Sequence, residues 1–383
     1  MGARVGEWRH RHRKALLVTG LVVVVLALVA VLVREPVKDE WLARRACDGQ
    51  LPRGELDTVR TDLRLEGEKA FHSRDLGQYR CLLENTDGKV VVSVNAYTRP
   101  ADQRQELSRI GKEYQPQKVL PGGLPGFASD NGDIHLMPKC PRLGKDFDGQ
   151  PRRMLATTWV PFASRSDQEA ALLRMAVTMA NDASDKLGCG AKPLPAPKKD
   201  AVATEGKEIP RSRAQGTACG ALADTSLLGK ARDAKVRVAV SDEAPVGRCT
   251  LSVVGGADKA GGDEQRVVEL TSWYGDWAGG TGEMGSGDRS YFLRADGSRA
   301  PLSGASDAWA TARCDGENAG FAAHWGYAHG DGYKVLDGRL PKTKSARAEL
   351  LRELVARFAK DQVKRKGCAG LKVPGERDSE LRR

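Results

Sequence analysis

Hydrophobic positions in this chain fall into one unbroken run and then two similar successions of short periods. The unbroken run is Ala15–Val33, ALLVTGLVVVVLALVAVLV, and it carries no charge. As a helix it is about 28 Å long, which matches the hydrocarbon core of a bilayer. This predicts an uncleaved transmembrane signal-anchor. A cleaved signal peptide has a shorter apolar stretch and an A-x-A-like site, and Ala27 and Ala30 are three apart. A buried soluble helix is the remaining alternative. Arg4, Arg9, Arg11, Arg13 and Lys14 precede the run, opposed only by Glu7. The tail 1–14 is therefore expected in the cytoplasm and the rest of the chain outside, with residues 34–45 as a short charged stalk.

Past the stalk the periods shorten. Leu51, Leu56 and Val59 suit a short helix. Tyr79–Leu83 and Lys89–Tyr97 alternate like strands on either side of Asp87-Gly88 and predict a hairpin. Gln103–Tyr114 has a weak helical period, and PGGLPGF at 121–127 reads as a loop. Asp133–Pro138 and Met154–Phe162 read as strands. Gln168–Leu187 is the clearest helix, with Leu172, Met175, Ala176, Met179, Ala180, Ala183 and Leu187 at three-and-four spacing. Residues 191–216 are rich in Pro, Ala and Lys without apolar period and predict a linker. Strand patterns return at Val236–Val240, Gly247–Val254, Arg266–Tyr274, Ser290–Arg294, Ala308–Cys314 and Gly320–Tyr327. A Gly-rich loop covers 275–287, and Lys344–Lys366 closes the series as a helix.

The cysteines turn this resemblance of halves into a duplication. They are Cys47, Cys81, Cys140 and Cys189, then Cys219, Cys249, Cys314 and Cys368, with successive gaps of 34, 59 and 49 against 30, 65 and 54. YRCLL around Cys81 answers GRCTL around Cys249, KVVVSVNAY answers RVVELTSWY, and ATTW answers AAHW. A tandem repeat follows, over 46–190 and 217–371, with a charged tail at 372–383. The expected fold class is α+β: one N-terminal transmembrane helix, then two homologous domains, each an antiparallel sheet with a C-terminal helix. An even set of cysteines, all beyond the apolar run and none spaced C-x-x-C, predicts disulfides in an oxidising compartment. Pairing first with second and third with fourth closes compact local units: Cys47–Cys81, Cys140–Cys189, Cys219–Cys249 and Cys314–Cys368.

The net charge is +11, of which the tail before the run holds +4, five basic residues less Glu7. The remaining Lys and Arg are scattered, so nucleic acid is not an expected partner. The chemistry-bearing motifs are sparse. Gly280-x-Gly282-x-x-Gly285 matches a dinucleotide fingerprint without its strand and helix context. His72, His135, His324 and His329 show no ligand spacing, and Asp130-Asn131-Gly132-Asp133 reads as a turn. No catalytic residue, cofactor or metal is expected. Trp273, Tyr274 and Trp277, with Trp325 on another strand, form the candidate binding surface, since aromatic faces stack on sugars and dock peptides. Trp159 and Tyr97 stand at the matching places in the first repeat.

The basic tail, the anchor, the paired cysteines and the high-GC residue usage resemble uncharacterised membrane-anchored exported proteins of actinobacteria. The cysteine order is also similar to the extracellular sensor domains of that group's receptor kinases, which implies α+β units with two disulfides. The expected function is a membrane-anchored, extracytoplasmic, non-enzymatic binding or scaffolding module. Its expected partners are the membrane, crossed once, and a cell-wall polymer or another surface protein. The alternatives are a cell-wall-acting enzyme and a structural spacer.

Overall fold

The computed structural model describes residues 18–19, 21–25, 36–60, 63–112, 117–129, 132–145, 149, 151–161, 163–223, 234–240, 244–254, 264–280, 301–325 and 341–375. Most of the apolar run lies outside this set. Its described part, 18–19 and 21–25, is helical, with Val18 and Leu21 through Val25 all between 48% and 66% exposed. Among the described residues no helix is long and apolar enough to cross a membrane.

The body begins with helix α1, described over 36–49. Its inner face, Leu42, Ala43, Ala46 and Cys47, is buried in the first core. The expected stalk at 34–45 is thus, from residue 36 on, part of a packed helix, because these four apolar positions recur at helical spacing among the charges. Next come α2 (Arg53–Arg60), the strands β1 (Leu65–Ser73), β2 (Gln78–Asn85) and β3 (Val90–Tyr97), and helix α3 (Pro100–Lys112). Four short strands follow: β4 (Gln117–Val119), β5 (Gly126–Ser129), β6 (Asp133–Leu136) and β7 (Leu155–Trp159). Helix α4 (Ser166–Lys186) closes this half. The second half holds β8 (Lys207–Pro210), β9 (Ala234–Ala239), β10 (Val246–Val254), β11 (Glu264–Tyr274), β12 (Leu302–Ser303), β13 (Asp307–Cys314), β14 (Glu317–Trp325), α5 (Lys344–Lys366) and β15 (Ala369–Lys372).

Both sheets are antiparallel and share one order. The first runs β1-β2-β3-β7-β6-β5-β4. The second runs β9-β10-β11-β14-β13-β12 over its corresponding strands, with β8 added beside β9 and β15 paired with β13. Each sheet buries one face against its own long helix. Leu172, Met175, Ala176 and Met179 of α4 join the first core, and Leu351, Leu354, Val355 and Phe358 of α5 the second. Thr343 caps α5 by accepting the Ala346 N–H, and Gly367 ends it in the left-handed region at φ 64°.

The disulfides are Cys47–Cys81, Cys140–Cys189, Cys219–Cys249 and Cys314–Cys368. The first ties α1 to β2, and the last ties β13 to the residue group that ends α5. Each closes a loop that on chain-entropy grounds contributes about 4 kcal/mol.

The stretch expected to be a linker is attached at both ends. Leu194 exchanges backbone hydrogen bonds with the Asn181 amide at 2.8 and 3.1 Å, and Thr204 bridges to Val119 on the edge of the first sheet. Lys207–Pro210 then becomes β8, the edge strand of the second sheet. Few apolar residues are needed for this, because the chain is held by backbone and amide bonds to existing edges.

Candidate binding surface

The register of the strands shows which residues share a face, since partners directly opposite each other point the same way. In the first sheet Cys81 lies opposite Val94, and in the second Cys249 lies opposite Leu270. Both pairs of strands carry a register shift just beyond, after Leu83 and after Leu251. Setting Cys81 on Cys249 therefore aligns the two sheets residue by residue. Arg80 falls on Arg248, Ser93 on Glu269, Trp159 on His324, and Asp133 on Asp307.

On the side away from α4, one row crosses the whole first sheet: Phe71, Arg80, Asn95, Thr157, His135, Phe127 and Val119. Its burial changes along its length. Phe71 is 46% exposed, whereas Thr157, His135 and Phe127 are at most 3% exposed. The neighbouring row runs Lys69, Leu82, Ser93, Trp159 and Asp133. Leu82, Ser93, Asn95, Tyr97 and Trp159 are half-buried, and Arg80 is exposed. The half of this face made by β1, β2 and β3 is thus open. It presents Phe71, Leu82, Tyr97 and Trp159 among Lys69, Glu84, Arg80 and Asn95. Lys69 and Glu84 pair at 2.8 Å, and Asn95 Nδ2 donates to Ser93 Oγ at 3.1 Å. Burial, then the Glu106 carboxylate, pushes the Tyr97 hydroxyl above its usual range, so it stays a neutral donor.

The other half of the same face is covered by the second repeat. Phe127, Met137 and Leu155 pack with Val246, Trp273 and Trp277 in one buried cluster, helped by Leu107 and Ile110 of α3. The Phe127 ring meets Trp273 edge-on at 5.6 Å between centroids and Trp277 at 5.1 Å. Arg153 crosses the junction: its Nε lies 3.0 Å from Asp276 and its Nη2 pairs with Glu317. Gly275, at φ 66°, brings the backbone under this pair, where an added Cβ would lie 2.5 Å from Glu317 Oε2.

The four aromatic residues expected as a binding surface are therefore split and mostly hidden. Trp273 and Trp277 are 3% and 1% exposed at the junction. Tyr274 follows Trp273 in a strand and so points to the opposite face, where its hydroxyl donates to Gln362 of α5 at 3.3 Å. Trp325 is on that face too, donating from Nε1 to the Ala305 carbonyl at 2.9 Å. On the face away from the long helices, the aromatic residues left open among the described ones belong to the first sheet. Phe71 among them lies on a strand, LEGEKAFHS, too charged to show as one.

The second sheet's corresponding row is Arg237, Thr250, Glu269, His324 and Asp307, and apart from Arg237 and His324 its members are at most 6% exposed. Glu269 accepts a charge-assisted hydrogen bond from Arg248. Its other oxygen is 3.4 Å from His324 Nε2, and Arg266 stands 3.9 Å away. Burial by itself would raise the Glu269 carboxyl, but Arg248, His324 and Arg266 outweigh it and hold the group below its usual range. A carboxylate so held has no proton to give. What this cluster does is satisfy buried charge.

The remaining histidines are dispersed. His135 is fully enclosed, bonded through Nδ1 to Thr157 Oγ1 at 3.1 Å, and burial pushes its pKa down to about 3. His72 is exposed, 3.9 Å from Asp48. His329, Gly282, Gly285, the strand expected at Ser290–Arg294, Asp130 and Asn131 lie outside the described residues; Asp133 opens β6 beside Ser129. Among the described residues no group of His, Cys, Asp and Glu could hold a metal ion. Compared with known proteins, the chain matches no family model, no curated protein and no solved structure.

Proposed function

We propose that the chain is a single-pass, membrane-anchored extracytoplasmic protein that binds a partner at the cell surface through the open half of its first sheet. Four observations support this. The run at 15–33 is uncharged, and its described residues are helical and turned outward, a state suited to lipid surroundings. All eight cysteines are in disulfides, which persist in oxidising compartments. The shared strand order is read as one unit duplicated in tandem. Above all, one face carries aromatic residues in both repeats, and among the described residues those of that face left uncovered, Phe71, Tyr97 and Trp159, belong to the first. That contrast carries the reading: a fold that buries Trp273 and Trp277 leaves Phe71, Tyr97 and Trp159 at the surface.

The partner class that fits is a cell-wall glycan or a surface protein, since rings flanked by Arg80, Asn95 and Ser93 offer both stacking and hydrogen bonding. A photo-reactive residue placed at position 71 in the full chain, in cells, tests this. Specific adducts from position 71, absent from a probe at Glu349 on the exposed side of α5, are expected. Equal capture from both positions overturns the assignment of the face.

A further inference from the structure

Exposed apolar side chains are not spread evenly over the body. Beyond the run at 18–25, the large ones among the described residues are Val37, Trp41, Leu63, Phe71, Leu76 and Val373. Three of these gather at one end of the first repeat. Val37 and Trp41 are four apart on α1, on the side opposite the buried Leu42, Ala43 and Ala46. Leu63 runs beside the start of that helix: the Leu65 N–H donates to Asp39 Oδ1 at 2.7 Å, and Lys38 pairs with Glu66. Cations stand around them. The Arg45 guanidinium lies 4.7 Å from the centre of the Trp41 ring, and Lys38 and Arg64 flank Val37 and Leu63 in sequence.

Chain length fixes how far this end can be from the apolar run. Two residues, Arg34 and Glu35, separate Val33 from Pro36, and the three Cα–Cα steps between them reach about 11 Å at full extension. The headgroup layer on each side of a bilayer is about 5–8 Å thick. We propose, resting on the anchor reading above, that this end of the first repeat is a foot set in the phospholipid headgroup layer. Val37, Trp41 and Leu63 enter among the headgroups, and Lys38, Arg45 and Arg64 meet their phosphates. Tryptophan favours that depth because its ring is apolar and its N–H polar, and basic side chains reach phosphates from an apolar base. The foot is stiff. α1 is tied to the sheet by Cys47–Cys81, by Glu68 accepting the Cys47 N–H at 2.6 Å and by Asp39 accepting the Leu65 N–H at 2.7 Å, and to α2 by the Asp39–Arg60 pair at 2.8 Å. The open face is then held at a set angle to the membrane.

The test uses the full chain with Trp8→Phe, reconstituted in vesicles of phosphatidylcholine and phosphatidylglycerol. Part of the phosphatidylcholine carries a nitroxide on its headgroup. Tryptophan emission is expected to be quenched, and adding Trp41→Phe is expected to abolish about half or more of that quenching, since Trp41 is the tryptophan at headgroup depth. Trp41 is 53% exposed, so the variant keeps the fold, which near-ultraviolet circular dichroism checks. Quenching unchanged by Trp41→Phe overturns the foot. Alkaline carbonate extraction of the same vesicles separates the two ideas: a chain that washes off sinks the anchor and the foot together, and a retained chain with quenching independent of Trp41 sinks the foot alone.

Discussion

Ser93 and Glu269 occupy the same place in the two sheets, and their surroundings are opposite. Ser93 sits half-buried on an open face, bonded to its neighbour Asn95. Glu269 is 6% exposed, clasped by Arg248 and near His324 and Arg266. The same holds along their own row and the next: Leu82 is half-buried and Thr250 is buried, Arg80 is exposed and Arg248 is buried. One strand order thus supports two uses of a face. Covering a face requires each of its polar groups to find a partner, and the second sheet meets that with an ion cluster. An open face has no such requirement and can keep rings and polar groups for something outside the molecule.

The comparison breaks first at the junction. Trp277→Ala removes a fully buried ring from between the two sheets, and a loss of about 4 kcal/mol is expected in denaturant unfolding. Because Trp277, Trp273 and Phe127 are where the repeats meet, the variant is also expected to unfold in two steps where the parent shows one. A loss near 0.5 kcal/mol with a single transition would mean that the junction is incidental. Next comes Glu269→Ala, which leaves Arg248 buried without its carboxylate and is expected to cost about 3 kcal/mol. Ser93→Ala at the matching place should change stability by less than about 0.5 kcal/mol. Equal effects at the two positions would erase the contrast.

The two-sheet, repeat-like architecture was legible because the cysteine spacings of the two halves run parallel and fix which segments are tied together, and the two long helices because their apolar period is strong. The faces were not. Matching KVVVSVNAY to RVVELTSWY sets Val94 on Thr271, while the sheets set it on Leu270. A slip of one residue turns every side chain to the other face, so similar words pointed at a surface that is a core. β1 escaped notice because an edge strand with both faces partly wet has no apolar alternation. The linker looked unstructured because it is fastened by hydrogen bonds to existing edges, which leave no period, and the stalk because its own span, 34–45, holds only Leu42 and Ala43 of the four buried positions, set among charges. Tyr97 and Trp159 were visible as matching residues, but nothing in the sequence says that their counterparts are covered.

Acid sharpens the comparison by acting on groups in both covered regions. His135 is held neutral in the fold, while an unfolded chain takes up its proton below about pH 6.5. Its contribution is complete above that pH and is lost as pH falls toward about 3. Glu269, lowered in the fold, contributes above its unfolded value near 4.5 and loses that contribution as pH falls further. Stability is therefore expected to decline from pH 6.5 downward. His135→Phe should flatten the upper part of that decline, read as the unfolding midpoint against pH. An unchanged profile would place the acid-sensitive group elsewhere.

The smallest expected effect on stability carries the most weight for function. Phe71 is nearly half exposed on an edge strand, and it lies directly opposite Arg80, itself exposed. Truncating it gives up little buried area, so Phe71→Ala should shift the unfolding free energy by less than about 1 kcal/mol. If the open face is a binding surface, the same change should weaken capture of a partner by about tenfold or more, because an exposed ring at the centre of a contact is the kind of residue on which affinity concentrates. The two readouts need to diverge. Loss of capture with stability intact ties the open face to recognition. Capture unaffected by Phe71→Ala, and by Trp159→Ala measured beside it, means that this face is merely uncovered, and the two sheets then differ in packing and in nothing else.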